Sequence, residues 1–552
     1  MDKGITGKLE KFFYSVGKYK IFLAATHTYL SDKRFVLVLI GFGILLRIKH
    51  LLENRSLWLD EAWLSLWVSS RSMADILTFK KFTNGNTFIP GFLAFEKFFI
   101  TLFGNSECSL RLWPLVASVI SVFLFYFFLK QCAGSRAVVY VGLSLFCFMD
   151  SMVFYAAQVK RYSMEVLLTI ILFLAVFEVG RRRLNGYHAF LYALLGAVIL
   201  FSSYPSVFIL PAHLFVLLAV SILEKNRDQI FKLTLVGLFW SLCLLVLFQE
   251  IYAPKLQETN AFGFNIINGF YPSSSVGSAG FWKWLFQACV KIFVYPMGLA
   301  PAGLWLAVFI VGAVVIYREN IERFYLLVLP CVFVLLAGVT RLYPFGDRFL
   351  LFLVPVYILF VAKGVCWTLR RAGKLKQVTG VILLSVLFCC PFMKGVYFLT
   401  HSREQENVRT TMKYLKDRLQ PKDELYLNNS AADAYHYYLG QMGYPYKPSR
   451  IGKILDEVLS DDGRYVAWRY ESPVYSREGW LLGVKKSIEL ERFYKISPGQ
   501  WVVRDRKKRV WILLAHHYTE LEHFLLGSLE RHGRRLEEFK DTWTSLYLYE
   551  LN

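Results

Sequence analysis

The feature that most constrains this chain is a succession of apolar runs between residues 35 and 397, each close to the roughly 20 residues that carry a helix across a bilayer. Eleven crossings are expected, near 35–52, 110–130, 137–156, 162–180, 187–203, 205–223, 233–251, 301–317, 324–341, 349–366 and 378–397. No water is at hand inside lipid to pair backbone N–H and C=O groups, so such runs fold as helices. The 552 residues are 55% hydrophobic with a mean hydropathy of +0.40, above the level of water-soluble domains. The excess stops near residue 400. The expected architecture is therefore an all-α polytopic membrane domain over 35–399 and a small α/β domain over 400–552. Residues 1–34 carry Lys3, Lys8, Lys11, Lys18 and Lys20 and are too long and polar for a cleaved signal peptide. They form a cytoplasmic or interfacial terminus, with 12–30 either a basic amphipathic segment on the inner leaflet or a plain flexible end.

A formal charge of +22 invites a nucleic-acid reading, but the basic residues recur as short clusters between apolar runs. A DNA-binding protein gathers them on one water-exposed face. Segment 88–103, FIPGFLAFEKFFITLF, decides the topology. It is short and holds Glu96 and Lys97 at its middle, a costly pair at mid-bilayer, so a helix along the membrane surface is expected. With the N-terminus inside, Lys130 and Arg136, Arg181 to Arg183, Lys225 and Arg227, Arg318 and Arg323, and Arg370 to Lys376 then all fall on the cytoplasmic side. If 88–103 crossed, every one of those loops would move outside. The outer face receives the loop 53–109, the turn 157–161, the loop 252–300, the turn 341–348 and the region after 400.

That last region reads as alternating elements: a helix over Val408–Leu419, strands at Glu424–Leu427, Arg464–Tyr470 and Arg509–Ala515, a helix over Thr519–His532 and a closing strand at Ser545–Leu551. It holds no Gly-rich phosphate loop and no nucleophile elbow. The nine cysteines lie between Cys108 and Cys390, so no disulfide framework is expected in it. No CxxC or His/Cys cluster suggests a metal site, and no cofactor is called for.

Four outer segments could carry chemistry. In LWLDEA, Asp60 and Glu61 either cap the following helix, Glu61 to Arg71, or present a carboxylate at the lipid–water boundary as a general base, its pKa raised by partial desolvation. In QVKRY, Lys160 and Arg161 are adjacent cations on the outer face, against the charge rule, either to bind phosphate or to snorkel to lipid headgroups. In RLYPFGDR, Arg341 and Arg348 flank a bend at Pro344 and Gly346, a second basic turn or a simple one with Asp347 paired to Arg348. In NGNTFIPGF, Asn86 or Thr87 caps the surface helix, with Pro90 in its first turn, a structural role. Among polar residues within the spans, Glu165 and Glu178 lie near span ends, and His213 reads as a satisfied interior histidine.

Taken in order, WLDEA at 58–62, NTFIPGF at 86–92, LFGNSECSLRLWP at 102–114, AAQVKRYSMEVLL at 156–168 and RLYPFGDRFLLFLVP at 341–355 resemble the polytopic glycosyltransferases of the GT-C fold. The resemblance is to the bacterial family 39 and aminoarabinose-transferase-like enzymes, covers roughly 35–400, and extends to the terminal α/β domain of some members. It implies a sugar donor on a polyprenyl phosphate, an acceptor on the outer face of the bacterial cytoplasmic membrane, and inverting transfer. By the same resemblance Asp60 is the base and Glu61 an orienting acid. Lys160, Arg161 and Tyr162 fall on one donor-binding turn, and Arg341, Tyr343 and Arg348 on the other. Some relatives carry a further acid later in the first outer loop, where this chain offers only Glu96, which puts a second carboxylate or a divalent metal in doubt. The acceptor, whether glycan, lipid or protein, is not specified. Two other functions fit the same topology: a flippase or transporter of the lipid-linked sugar, and a non-catalytic subunit of envelope assembly.

Overall fold

The computed structural model describes residues 33–78, 89–181, 184–252, 277–373, 376–403, 405–420, 423–427, 429–441 and 508–551, without 517–521, 524, 525, 528, 531 and 532. The expected interfacial segment 12–30, the cap at Asn86 or Thr87 and the strand Arg464–Tyr470 lie outside those residues, as do much of the loop 252–300 and much of the helix Thr519–His532.

All eleven expected runs are helical. They are α1 (Lys33–Leu52), α5 (Glu107–Cys132), the pair α6 (Arg136–Phe148) and α7 (Asp150–Phe154), α8 (Tyr162–Arg181), α9 (Gly186–Leu200), α10 (Ser206–Leu223), α11 (Arg227–Leu247), α13 (Ala302–Glu319), α14 (Ile321–Val339), α15 (Val354–Arg371) and α16 (Lys376–Thr400), and a further helix, α12 (Ala279–Val294), lies between α11 and α13. Among the described residues nine helices are long and apolar enough to cross a membrane, and the pair α6–α7, bent by 52°, makes a tenth. Helix α9, at 15 residues, is shorter than its expected run. It stops at Leu200, and the carbonyl of the next residue, Phe201, accepts the Gly91 amide at 2.8 Å. The chain is a multi-pass membrane protein.

Helix α15 is the axis of the bundle, with 94% of its apolar window buried against 17% for the peripheral α16. It meets α13 at two glycines. A Cβ on Gly312 would lie 1.8 Å from the Phe360 carbonyl oxygen, and one on Gly364 2.0 Å from that of Val308. Only hydrogen fits there, so the two backbones touch, a close approach that small residues permit between membrane helices.

The expected surface helix is α4 (Pro90–Phe103), preceded by α2 (Leu59–Ser70) and the short α3 (Met73–Leu77). The segment between α1 and α5 returns to the end of the bundle it left: Arg111 on α5 donates to the Arg55 carbonyl at 2.6 Å, and Cys108 Sγ to Asn54 Oδ1 at 3.4 Å. The turns 158–161 and 341–348 and the residues after 400 meet at that same end. Lys363, Glu319, Arg323 and Phe177 gather elsewhere, Lys363 pairing with Glu319 and Arg323 lying over the Phe177 ring.

The bend at Met149 leaves the last carbonyls of α6 without helical partners. Arg47, fully buried in α1, takes them up. Its guanidinium donates to Phe146 O at 3.1 Å and Cys147 O at 3.2 Å, and also to Gly43 O at 2.7 Å and Ser118 Oγ at 2.8 Å. In lipid those carbonyls have no water to turn to. One arginine thus stabilises the break that lets α7 and the 155–157 turn swing toward the site.

After residue 400, α17 (Val408–Arg418) and α18 (Asn429–Gln441) pack on a four-stranded sheet of β1 (Glu424–Leu427), β2 (Lys508–Ala515), β3 (Gly533–Asp541) and β4 (Thr544–Leu551), in the order β1-β2-β4-β3. The β1–β2 pair is parallel and the others antiparallel. Met412, Leu415, Tyr437 and Tyr438 share one apolar core with Leu57, Leu64 and Val68 of the first loop, so the sheet region is docked on α2.

Replacing Arg47 by Met leaves two to four buried acceptors unpaired, at roughly 1–3 kcal/mol each. The expected result is a lower thermal unfolding midpoint in detergent, with Arg47→Lys restoring part of the loss.

Candidate functional site

The first turn of α2 is held from behind by a buried ion pair. Glu61, with no exposed surface, receives Arg111 Nε at 3.0 Å and Nη2 at 2.5 Å. The same guanidinium donates to Arg55 O and Ser56 O, which fixes the chain just before the helix. Glu61 Oε1 also accepts the Val159 amide at 2.7 Å, and Trp58 Nε1 donates to Gln158 Oε1 at 2.8 Å. Glu61 and Trp58 therefore clip the 158–161 turn onto the start of α2. Glu61 and Asp60 are consecutive, so with Glu61 facing inward Asp60 is left at the surface of the cluster, 27% exposed.

Two turns bring cations to it. Lys160 Nζ stands 3.5 Å from Asp60 Oδ2, and Arg348 Nη1 donates to the same oxygen at 2.7 Å. Burial pushes the Asp60 carboxyl up, but Lys160 and Arg348 outweigh it and hold the carboxyl below its usual value. The expectation that desolvation raises this pKa is thereby corrected. Burial pulls the Lys160 ammonium down, with Asp60 opposing. Asp60 and Glu61 lie in the first turn of α2, as the capping reading expects, but neither makes a side-chain cap hydrogen bond to it.

Arg161 turns the other way along the wall. It donates to Glu165 Oε1 at 2.7 Å and lies over the rings of Tyr204 at 4.8 Å and Tyr162 at 5.4 Å. Burial opposes its charge, but Glu165 raises its pKa. Tyr162 also lies 6.0 Å from the Arg348 guanidinium. Tyr343 donates its hydroxyl to Phe349 O at 3.0 Å and packs edge-on against Phe208. Arg341 is exposed at the head of the turn with φ of 61°. Arg348 pairs with Asp60 across the site, so the simple turn with an Asp347–Arg348 pair is not what forms.

Asp60 with Lys160 and Arg348 makes one carboxylate against two cations, a surplus of positive charge suited to an anion such as phosphate. A divalent metal fits this donor set poorly, because both cations already stand on the Asp60 carboxylate. Among the described residues no three His, Cys, Asp or Glu side chains group closely enough to hold one. Glu96 supplies no second working carboxylate. It is fully buried, burial and then Glu61 push its carboxyl well up, and neither oxygen has a hydrogen-bond partner among the described residues.

Sequence reasoning missed the residues that build the site from outside the loops. Arg111 lies at the head of an apolar run and reads as an interface residue. Gln405 and Glu406 lie in the connection after α16. Gln405 Nε2 donates to Glu61 Oε2 at 3.4 Å, and its Oε1 accepts Arg55 Nη1 at 2.5 Å.

A family model described as dolichyl-phosphate-mannose-protein mannosyltransferase matches residues 89–249, which include the 158–161 turn and begin beyond Asp60. It is a glycosyltransferase family, in agreement with the resemblance in the sequence. No curated protein matches the chain. Among solved structures the chain is similar to an archaeal oligosaccharyltransferase, AglB from Archaeoglobus fulgidus, in complex with an inhibitory peptide and a dolichol-phosphate (TM-score 0.49, 11% identity, covering 93% of this chain and 74% of that one). It is also similar to ArnT from Cupriavidus metallidurans bound to undecaprenyl phosphate (TM-score 0.44, 12% identity, 94% and 98%). A third, an Archaeoglobus fulgidus oligosaccharyltransferase in complex with Zn and sulfate, has a TM-score of 0.47 at 10% identity over 72% of this chain, and the chain spans only 61% of its length.

Removing the buried guanidinium by Arg111→Ala strands Glu61 and should cost about 3–5 kcal/mol, seen as a large fall in thermal stability of the purified protein. Glu61→Gln, which can still accept the Val159 amide, should lose less.

Proposed function

We propose that the chain is a membrane glycosyltransferase that moves a sugar from a polyprenyl-phosphate donor to an acceptor on the outer face of the bacterial cytoplasmic membrane, with Asp60 as general base. The observation that carries this reading is the meeting of two basic turns, through Lys160 and Arg348, on one partly exposed carboxylate. The glycosyltransferase family match over 89–249 supports the reaction class.

In this reaction the donor phosphate enters beside Lys160, Arg161 and Arg348, with the aromatic rings of Tyr162 and Tyr343 along the wall and Arg341 at the rim. Asp60 takes the proton of the acceptor hydroxyl or amine. The acceptor atom attacks the anomeric carbon from the side opposite the phosphate, the carbon–oxygen bond to phosphate breaks, and the configuration inverts. The leaving polyprenyl phosphate carries away the negative charge under the cations. Glu61 orients the turn from behind and does not touch substrate.

A carboxylate held below its usual pKa is a weak base, and the same two cations resolve this. An arriving phosphate competes with Asp60 for Arg348 and Lys160. As they transfer to the phosphate, the carboxylate loses its counter-ions and becomes basic only when donor is present. The positive-inside distribution supports the outer placement of this end. No resident cofactor is needed for the step.

The test is sugar transfer in membrane vesicles supplied with undecaprenyl-phosphate-linked sugars. Asp60→Asn should fold and insert but lower turnover roughly 10²–10⁴-fold, the usual worth of a general base. Arg348→Ala should weaken donor binding roughly ten- to a hundredfold, the loss of a charge-assisted hydrogen bond. Normal turnover by Asp60→Asn would remove the base, and lipid movement between leaflets without transfer would favour a transporter.

A further inference from the structure

Helix α2 carries Asp60 in its first turn, yet the side chain of Trp58 at its cap position offers the helix no acceptor. The acceptor comes from the far end of the chain. Glu406, 5% exposed, accepts the Leu59 amide on Oε2 at 3.0 Å. Leu59 is the residue immediately before Asp60. The other oxygen of Glu406 pairs with His516 Nδ1. His516 leaves the end of β2 in the left-handed region, φ 48°, with its amide donating to Trp543 O at 3.3 Å. Its ring stands 6.4 Å from that of Trp58, and its side chain is 38% exposed on the side of the site. A continuous path thus runs from the sheet through His516 and Glu406 to the amide that precedes Asp60.

We propose that Glu406 and His516 are positioning residues for Asp60, so that a region without catalytic motifs of its own holds the base in place. This rests on the reading of Asp60 as base. A carboxylate at the first turn of a helix is favoured by the unpaired amides and the helix dipole. Glu406 gains that position only while the sheet region is docked, because its side chain is aimed by a residue of β2's end. Gln405 and Arg409 reinforce the docking, the latter donating to Glu107 Oε1 at 2.8 Å and Asn54 O at 2.6 Å. Domain docking and base placement are therefore one event.

The pair is also sensitive to pH. The groups that face His516 are Glu406 from the connection after α16 and Asp60 from the start of α2. The hydrogen bond to Glu406 raises the imidazole's pKa, burial opposes it, and the charges of Glu406 and Asp60 add to the rise. A raised histidine pKa means that the charged latch is complete at low pH and is lost as pH rises through the raised value.

Amide hydrogen exchange of the full chain in lipid nanodiscs tests this without knowledge of the acceptor. At the start of α2, wild-type protection, corrected for intrinsic rate, should fall as pH rises above the value of His516. Glu406→Ala should exchange about tenfold faster at Leu59 at every pH, the loss of one charge-assisted hydrogen bond. His516→Asn, a residue that accepts the left-handed backbone of this position, should remove the pH dependence. In the vesicle transfer assay both variants should lower kcat and leave the KM for undecaprenyl-phosphate-linked sugar unchanged, because the phosphate-binding cations are untouched. Unaltered protection at Leu59 in both variants overturns the proposal. So does wild-type turnover by Glu406→Ala where Asp60→Asn is inactive, whereas full activity of Asp60→Asn would overturn the base and leave the exchange result to stand on its own.

Discussion

The buried pair between Glu61 and Arg111 is the interaction on which the rest of the site depends. Arg111 sits at the site end of a membrane helix and satisfies two backbone carbonyls and both carboxylate oxygens at once. Glu61 in turn holds the Val159 amide. Three separate stretches of chain, 55–61, 111 and 158–159, are thereby locked into one body. A charge pair of this kind adds little net stability over an apolar substitute, but losing one partner is severe. Its contribution here is placement: with Glu61 facing in, its neighbour Asp60 faces out, toward Lys160 and Arg348.

From that placement the proposed chemistry follows by exchange of charge partners. Without donor, Asp60 is neutralised by the two cations it would lend to a phosphate. With donor, the cations gain a stronger anion and the carboxylate is freed. Arg161 is kept apart from this exchange by Glu165 and by the rings of Tyr204 and Tyr162. It can lend its charge to the phosphate while remaining oriented.

Much of this was legible in the sequence because lipid imposes a strong rule. The eleven helical runs, the short helix at 90–103 that is not one of the spans and the gathering of Asp60, Lys160 and Arg348 at one end all came from hydropathy and charge, and β1 and β4 came from alternation. What escaped has physical reasons. Arg47 is one cation inside an apolar run, and its partners are carbonyls exposed by a bend that no local pattern announces. Strand β3, GRRLEEFKD, is a charged sheet edge that exposes most of its side chains, so it lacks the apolar alternation of a buried strand. Helix α18 is rich in Ala and Tyr, and its apolar face is defined only by docking on α2. The lowered pKa of Asp60 escaped because it depends on two residues, 100 and 288 positions away, and not on its depth in the membrane.

The exchange of partners at Asp60 is the central claim, and isotope-edited infrared spectroscopy of the Asp60 carboxylate reads it most directly. Titrated in nanodiscs, Asp60 should protonate below the ordinary carboxylate range in the free protein, and its midpoint should rise by at least about one pH unit when undecaprenyl phosphate is added, the shift expected on losing nearby cations. A midpoint that does not move, or that falls, would contradict the account.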